Sequence, residues 1–476
     1  MKAIQTTQAS EQDALQWREL TNKEYLPRII TLSLALWLHA SNSMLTATTM
    51  PSAVNEIGGL HLISWTFALY LAGSIISAAS MSIIVGRIGL RTAMVRAAVI
   101  YTVGCIIVAL APSMPVLLIG RVFQGLGGGS MVALVYIAQN RFFPNRLVPK
   151  IVALHSIVWI LAAFSGPAIG GAFATWGLWR MAFWFFAIQG LLLIPAVFSL
   201  LKEREKILSP NKESIPIFRI LFLTATILLY SLSAAHFHPI GSPVLIALGC
   251  ITLALFIQRD ASAKSSRILP PQVLDLNHPM SNGLIATFIL SISIMSFLVY
   301  GPFILIQFYK LTPLEAGFVV LSETFAWGAA AVLMSGVKPS TEPVVIRIGS
   351  AMVIVGLAAL SITFPYFLLV PTILAVIVGN FGMGMMWGYI IKRVIGSSPA
   401  DQKDRTASML PITQQTGFAL GAALSGLIAN SFGLDSDSSG ETVEAVTFWL
   451  FAAFIPLVFI GNWFSWRFAS RAIEQP

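Results

Sequence analysis

The chain has 476 residues, of which 56% are hydrophobic and only 10% charged, whereas about 25% of the residues in ordinary soluble domains are charged. A water-soluble core cannot cover so much apolar surface, so the composition excludes a soluble enzyme and predicts a protein embedded in lipid. The formal net charge of +9 does not indicate a nucleic-acid binder, because the basic residues form neither a patch interleaved with aromatic residues nor a basic tail. The two cysteines each lie alone in an apolar run, so we expect no disulfide, no metal and no cofactor.

Fourteen apolar runs are long enough for a helix that crosses the hydrocarbon layer, which needs about 20 residues. In chain order they are predicted at 29–50, 63–85, 92–111, 114–138, 150–175, 180–201, 216–236, 240–257, 281–308, 313–335, 343–363, 366–391, 406–431 and 445–466. They predict an all-α polytopic membrane protein.

Polar breaks after the sixth and the eighth run divide the spans into six, two and six. The predicted domains are an N-terminal tail (1–28), a six-helix bundle (29–201), linkers (202–280) with an inserted helix pair (216–257), a second six-helix bundle (281–466) and a C-terminal tail (467–476). No internal repeat in the sequence is strong enough to establish two related halves.

The basic residues predict the orientation of the chain. All 29 Lys and Arg residues except Arg121, Arg180 and Lys310 lie in alternate breaks or in the span ends beside them, and short loops rich in these residues stay in the cytoplasm. The polar N-terminal tail also lacks the apolar core of a secretory signal. We therefore expect a multi-pass protein of a bacterial inner membrane with both termini in the cytoplasm.

Short sequences distributed along most of the chain resemble the major facilitator superfamily, specifically its fourteen-helix drug:proton antiporter branch. They are TTMPSAVNEIGGL at 48–60, GRIGLR at 86–91, LLIGRVFQGLGGGS at 117–130, SGPAIGG at 165–171, TWGLWRMAF at 175–183 and TPLEAG at 312–317. The resemblance implies a fold of two six-helix bundles with an inserted helix pair, and transport by alternating access.

The resemblance also implies two conformational motifs. Arg87, Gly89 and Arg91 match the superfamily's signature in the loop after the second helix, although Gly86 stands where an acid is usual and Leu90 where a base is usual. In the fifth helix a bendable seam, the antiporter signature, is implied for Gly166, Pro167, Gly170 and Gly171.

Ionisable side chains deep in the predicted spans are candidates for proton coupling, because each costs roughly 2.5–3.5 kcal/mol to insert. Arg121 lies about 10 Å into the fourth span and Glu323 about 15 Å into the tenth, and His39 is similarly deep in the first. Glu323 is the only carboxylate deep inside any predicted span, and loss of hydration there disfavours its charged form. We therefore expect Glu323 to be the principal proton carrier, with Arg121 and His39 as further coupling residues. The alternative is a permanent pair of Glu323 with a buried base or hydroxyl, for example with Arg121.

Polar residues in the spans predict the substrate-binding cavity. Asn42, Ser43 and Thr46 share one helical face with His39, and Asn42 and Gln124 could accept hydrogen bonds from Arg121. The branch usually has an aspartate where this chain has Asn42. The remaining candidates are soft or polar residues of the later spans: Tyr300, Gln307, Trp327, Asn380, Met383, Gln414 and Gln415.

We therefore predict a monomeric exporter that moves amphipathic, cationic or zwitterionic organic compounds outward against a proton gradient. Its partners are a small-molecule substrate, protons and the lipid bilayer. A dedicated carrier for one endogenous metabolite, such as a siderophore, is the alternative transporter, and a non-transporting membrane sensor or scaffold is the alternative of another class. An enzyme is not expected, because the sequence contains no HExxH, CxxC, GxSxG or P-loop motif.

Overall fold

The computed structural model describes residues 19–144, 147–201, 216–235, 240–263, 275–334, 340–397, 403–435 and 438–470, together with residues 267, 269, 273, 337 and 338. Within these residues the chain is helical, with no strand. The α-helices are α1 Tyr25–Ile57, α2 Ile63–Ile88, α3 Leu90–Ala109, α4 Met114–Phe142, α5 Val148–Thr175, α6 Trp179–Leu200, α7 Ile217–Ala235, α8 Gly241–Ala261, α9 Pro279–Ser293, α10 Met295–Gln307, α11 Pro313–Leu333, α12 Glu342–Thr363, α13 Leu369–Gly396, α14 Lys403–Ser431, α15 Gly440–Ala452 and α16 Ile455–Ser470.

The sixteen α-helices of the described residues form fourteen segments that agree with the predicted spans in order. Thirteen segments of the described residues are long and apolar enough to cross a membrane, and the more polar 29-residue helix α14 occupies the remaining predicted span. The chain is thus a multi-pass membrane protein, and most helix ends lie within a few residues of the predicted ends.

Two predicted spans are not continuous helices. The span predicted at 445–466 is divided into α15 and α16, because Pro456 has no N–H to continue the hydrogen-bond ladder into α16. The span predicted at 281–308 is divided into α9 and α10 at Ile294, whose N–H still donates to the carbonyl of Leu290 at 3.3 Å. Nothing in the structure explains the second break.

The first six helices form one bundle, and α9 to α16 form a second. In the first bundle α4 packs on α2 and α3, and α5 packs on α1. In the second, α13 packs on α11 and α12, and α14 packs on α9. We call these the N-terminal and the C-terminal bundle.

The bundles meet chiefly along two helix pairs, α5 with α11 and α2 with α14, and α1 also contacts α10 and α11. The face of the molecule where α1 begins and α16 ends is the terminus face, and the opposite face is the distal face. At the distal face the Leu314 N–H donates to Thr175 Oγ1 at 3.1 Å, and the Asn430 amide donates to the carbonyl of His61 at 2.8 Å. Hydrogen bonds between the bundles thus join them at the distal face.

The inserted helices α7 and α8 pack on each other, and α7 also packs on α2 and α14. Asn430 of α14 donates a second hydrogen bond to the carbonyl of Ala234 in α7. Near the terminus face, the Asp260 carboxylate is fully buried and accepts from Arg219 at 2.8 Å and from the Leu269 N–H at 2.6 Å. The inserted pair therefore lies over one of the two seams between the bundles.

The same close contact between a glycine and a carbonyl group of a neighbouring helix occurs in both bundles. A Cβ added to Gly125 of α4 would overlap the carbonyl oxygen of Tyr70 in α2. A Cβ added to Gly384 of α13 would overlap the carbonyl oxygen of Trp327 in α11. The pair α11 and α13 thus repeats the packing of α2 and α4.

A second set of glycines repeats in the same way. Gly166 and Gly170 of α5 face two carbonyl groups of α1 that are four residues apart, and Gly417 and Gly421 of α14 face two such carbonyl groups of α9. Close approach of helix backbones at small residues is the usual packing device in lipid. Corresponding helices therefore meet at corresponding glycines in the two bundles, although the sequence shows no clear repeat.

Candidate functional site

Arg121 is enclosed in the N-terminal bundle, with no exposed surface. One terminal nitrogen donates to Asn42 Oδ1 and to Gln124 Oε1, each at 2.7 Å, and Nε donates to the carbonyl of Thr66 at 2.9 Å. The guanidinium also lies over the ring of Tyr70, 4.2 Å from its centre, a favourable cation–π contact. Its other terminal nitrogen is buried without a hydrogen-bond partner.

All the hydrogen-bond acceptors of Arg121 are neutral. The ion pairs within the described residues do not include Arg121, so the alternative of a permanent pair with Glu323 does not occur in this structure. The planar guanidinium meets acceptors in several directions, which suits arginine better than lysine. The N-terminal bundle thus holds a buried guanidinium that forms no ion pair with a carboxylate of the described residues.

His39 continues this polar cluster. Its Nδ1 lies 2.9 Å from the hydroxyl of Tyr70, which also donates to the His39 carbonyl at 2.9 Å. The ring stacks on that of Tyr70 and meets the edge of Trp159. A Cβ on Gly128 would lie 2.6 Å from Nδ1, so the glycine at this position makes room for the imidazole.

The predicted polar face of α1 is mostly closed in this structure. Asn42 and Thr46 are fully buried, and Thr46 Oγ1 donates to the Asn42 carbonyl at 3.0 Å. Ser43 is half-buried and donates to the carbonyl of Ala40 at 2.7 Å. Asn42 therefore contributes an acceptor for Arg121, while the two hydroxyls are bonded to their own helix.

Glu323 lies in α11 of the C-terminal bundle, half-buried, with its Oε2 atom buried and without a hydrogen-bond partner. Trp327, one helical turn further along α11, is half-buried, and its ring centre is 6.2 Å from that of Trp387 in α13. Glu323 is therefore one turn from an aromatic pair, and it forms no ion pair among the described residues.

Two predicted residues of α13 are buried beside α11. Asn380 is 8% exposed; its amide nitrogen donates to the Val376 carbonyl at 3.1 Å, and its Oδ1 is buried without a partner. Met383 is fully buried. Asn380 is thus a second buried acceptor left open in the C-terminal bundle.

The remaining predicted cavity residues are dispersed. Tyr300 is buried, with no hydrogen bond to its hydroxyl that meets normal geometry, and Gln415 accepts from Ser74 of α2 at 3.2 Å, across the α2–α14 seam. Gln414 is half-buried. Gln307 is the last residue of α10, where its carbonyl accepts from Lys310 at 2.7 Å. The structure therefore places Gln307 at the distal end of its helix.

The loop motif forms the turn between α2 and α3. Gly89 has a φ of 81°, a conformation that favours glycine. The Arg91 guanidinium lies 5.1 Å from the ring centre of Phe198 in α6, and Arg87 is exposed. The turn thus ties α3 to α6 at the terminus face.

The glycines of α5 contact both bundles. Gly166 and Gly170 pack on α1, whereas a Cβ on Gly171 would lie 2.9 Å from the carbonyl oxygen of Pro313 in α11. The carbonyl of Pro167 accepts from Thr48 Oγ1 at 3.3 Å and would lie 3.0 Å from a Cβ on Gly317. This motif is therefore part of the α5–α11 seam at the distal side.

Sequence analysis missed three residues of the polar cluster. Tyr70 covers Arg121 and binds His39, Thr66 supplies a carbonyl, and Cys105 accepts from Gln124 at 3.2 Å. A backbone carbonyl leaves no signal in the sequence. The contact of Gly125 with the Tyr70 backbone points to Tyr70, but this contact is visible only once α2 and α4 are known to pack together.

Comparison with known proteins agrees with this architecture. The model of the Major Facilitator Superfamily matches residues 32–410. A probable multidrug-efflux transporter of Mycobacterium tuberculosis is 28% identical over 437 residues, covering 87% of this chain and 90% of that protein. A multidrug efflux pump of Staphylococcus aureus is 21% identical over 406 residues, covering 84% and 89%.

A solved structure shares the fold. The crystal structure of a D-xylose–proton symporter matches with a TM-score of 0.67 and 14% identity, over 94% of this chain and 98% of that chain. The matches are to transporters, so the expectation of a transporter in place of an enzyme is confirmed. The chain belongs to the Major Facilitator Superfamily.

Proposed function

We propose that the protein is a proton-coupled exporter of amphipathic cationic or zwitterionic organic compounds. The similar mycobacterial and staphylococcal proteins, which carry multidrug-efflux names, support export of drug-like compounds. The distribution of basic residues supports a bacterial inner membrane with the terminus face in the cytoplasm.

The observation that carries the proposal is the buried, unpartnered Oε2 of Glu323. A buried polar atom without a partner costs free energy, so this carboxylate has a strong requirement for a proton or a cation. Arg121, by contrast, already has three acceptors among its neighbours. Glu323 is therefore the coupling residue, and Arg121 organises the N-terminal bundle.

Exchange of a proton for a cationic substrate requires only one site that binds either of them but not both at once. When the cavity opens outward, Glu323 takes up a proton from the more acidic side and releases a bound cation. When the cavity opens to the cytoplasm, Glu323 releases the proton and binds the next cation. Each cycle then moves one proton inward and one positive charge of substrate outward.

The distal contacts are the part of the structure that must open for the outward-facing state. The hydrogen bonds Leu314 to Thr175 and Asn430 to His61 close that face here. Both bonds join the two bundles, so their loss is compatible with the bundles rocking as units around the cavity.

The test is transport by the Glu323→Gln variant in liposomes with an imposed pH gradient, using ethidium as the substrate. Gln keeps the shape but cannot ionise, so we expect loss of gradient-driven accumulation while ethidium binding remains measurable. Glu315→Gln is the matched control, because Glu315 is an exposed residue in the capping box of the same helix and glutamine also serves in a capping box.

Accumulation of ethidium by Glu323→Gln against its gradient, driven by a pH difference alone, would exclude Glu323 as the carrier. His39 would then be the next residue to test, because a histidine can change charge near neutral pH and this one bonds to Tyr70 within the same cluster as Arg121.

A further inference from the structure

We propose that Glu323 and Asn380 together form a subsite for a cation that carries N–H groups, such as a primary ammonium or a guanidinium, in preference to a quaternary ammonium. The proposal rests on the exporter function given above and assigns to it a class of substrate head group.

Helix register places the two residues side by side. Trp327 of α11 meets Gly384 of α13 in backbone contact, and both helices run from the distal face to the terminus face. Glu323 and Asn380 each lie four residues before that contact. Because residues four apart in a helix share a face, Glu323 and Asn380 lie on the facing sides of α11 and α13, one turn nearer the distal face.

The N-terminal bundle shows what this register produces. There the backbone contact is between Tyr70 and Gly125, and the residues four positions earlier are Thr66 and Arg121. The Arg121 side chain reaches the backbone of α2, with Nε 2.9 Å from the Thr66 carbonyl oxygen, while the Thr66 hydroxyl donates to the Ile63 carbonyl of its own helix. Glu323 and Asn380 occupy the corresponding positions of the C-terminal bundle.

The chemistry at the two positions differs. In the N-terminal bundle the guanidinium of Arg121 supplies N–H donors to neighbouring oxygens. In the C-terminal bundle Glu323 Oε2 and Asn380 Oδ1 are both buried acceptors without a donor, and Asn380 is more than nine-tenths buried. The protein thus supplies the donors at these positions in one bundle and only acceptors in the other.

Two occupants can satisfy both oxygens. A proton on Glu323 converts the carboxylate into an O–H group that can donate to Asn380 Oδ1. A cation with at least two N–H groups can donate to both residues at once. A quaternary ammonium has no N–H and can gain only the charge of Glu323 and a cation–π contact with aromatic residues such as Trp327. The subsite therefore has two properties: a substrate cation competes with the proton for it, and cations with N–H groups bind to it more tightly than cations without them.

The test uses two probes that differ only in the head group: dansylcadaverine, with a primary ammonium, and the same dye with a trimethylammonium head. Binding to the full chain in lipid nanodiscs is titrated by fluorescence at one pH, without a gradient. For Asn380→Leu we expect dansylcadaverine affinity to fall roughly tenfold or more, since a hydrogen bond to a charged group is lost. The trimethylammonium dye should change less than about twofold.

Two further variants make the result specific. Asn380→Asp keeps an oxygen at the same place and should bind dansylcadaverine at least as well as the wild type. Asn462→Leu removes an amide elsewhere in the C-terminal bundle, one whose oxygen accepts from Ser350 at 2.6 Å, and should leave both affinities unchanged.

Equal losses for the two dyes in Asn380→Leu, or no loss for either, would overturn the subsite. So would Asn380→Asp binding dansylcadaverine as weakly as Asn380→Leu. These outcomes are separate from the liposome test of Glu323, because dye binding at one pH does not require proton coupling.

Discussion

The N-terminal and C-terminal bundles share their helix packing but differ in what they hold at its centre. In the N-terminal bundle the contact of α2 with α4 encloses Arg121, which binds Thr66, Asn42 and Gln124. In the C-terminal bundle the equivalent contact of α11 with α13 is next to Glu323 and Asn380, each with a buried oxygen that has no partner. The same helix packing therefore encloses a donor-rich cluster in one bundle and two acceptors without donors in the other.

The difference extends to the packing itself. Gly129 of α4, one turn after Gly125, would overlap the backbone of Ser74 if it carried a Cβ. Gly388 of α13, one turn after Gly384, is exposed and has no atom within 4 Å of that position. The helix pair of the N-terminal bundle thus keeps its backbone contact one turn further toward the terminus face. The pair of the C-terminal bundle has no such contact at Gly388, and Tyr389 of α13 instead reaches the end of α11 with its side chain, which donates to the Met334 carbonyl.

The largest expected effect tests this difference in packing. Gly129→Ala should destabilise the protein by about 3 kcal/mol, because the added methyl group meets backbone that cannot move aside easily. Gly388→Ala should be neutral or slightly stabilising, because its methyl group meets nothing and alanine favours the helix. The melting temperature and the monodisperse fraction of the detergent-solubilised variants measure both effects. Equal losses would show that α11 and α13 are in close contact at Gly388 as well.

A smaller effect on stability is expected at Arg121 and Asn380, which occupy equivalent positions of α4 and α13. Arg121→Lys should cost about 2 kcal/mol, because an ammonium cannot replace all the hydrogen bonds of the guanidinium, and it should abolish most transport while the protein still inserts. Asn380→Leu should change stability by less than about 0.5 kcal/mol, because the amide bonds only to the Val376 carbonyl of its own helix. Thermal unfolding and liposome transport check these outcomes; wild-type transport by Arg121→Lys would show that the arginine is only structural.

The smallest effect concerns the seam between the bundles. Gly171→Ala would place a methyl group 2.9 Å from the Pro313 carbonyl oxygen, which should favour opening of the distal face by about 1 kcal/mol. A cysteine in place of the fully buried Ser64, at the α2–α14 seam, should then react several-fold faster with a water-soluble maleimide. The background carries Cys250→Ser, because Cys250 is exposed.

Gly440→Ala is the matched control for the seam, since Gly440 lies at the distal face with no atom within 4 Å of an added Cβ. When Gly440→Ala is added to the Ser64→Cys, Cys250→Ser background, the maleimide labelling rate should stay the same. Unchanged labelling in Gly171→Ala would show that the α5–α11 contact does not hold the distal face closed.

Much of the fold could be predicted from the sequence. The apolar runs determined the number and order of the helices, because an apolar run of about 20 residues crosses the lipid as a helix that satisfies its own backbone hydrogen bonds. The short motifs indicated the family that the comparison confirms. Arg121 and Glu323 could also be chosen as candidates from the sequence, because each is an ionisable residue far from the ends of an apolar run.

Other features required the tertiary structure. The equivalent packing of the two bundles is seen in the carbonyl groups that the glycines approach. These contacts join residues far apart in the chain, so hydropathy cannot reveal them. The partners of Arg121, the cover provided by Tyr70 and the placement of Gln307 at a helix end depend on how neighbouring helices are rotated. Hydropathy along the chain indicates which polar groups enter the membrane. Helix packing gives Arg121 its acceptors and leaves Glu323 Oε2 and Asn380 Oδ1 without donors, because a hydrogen bond depends on distance and direction between helices and not on position along one helix.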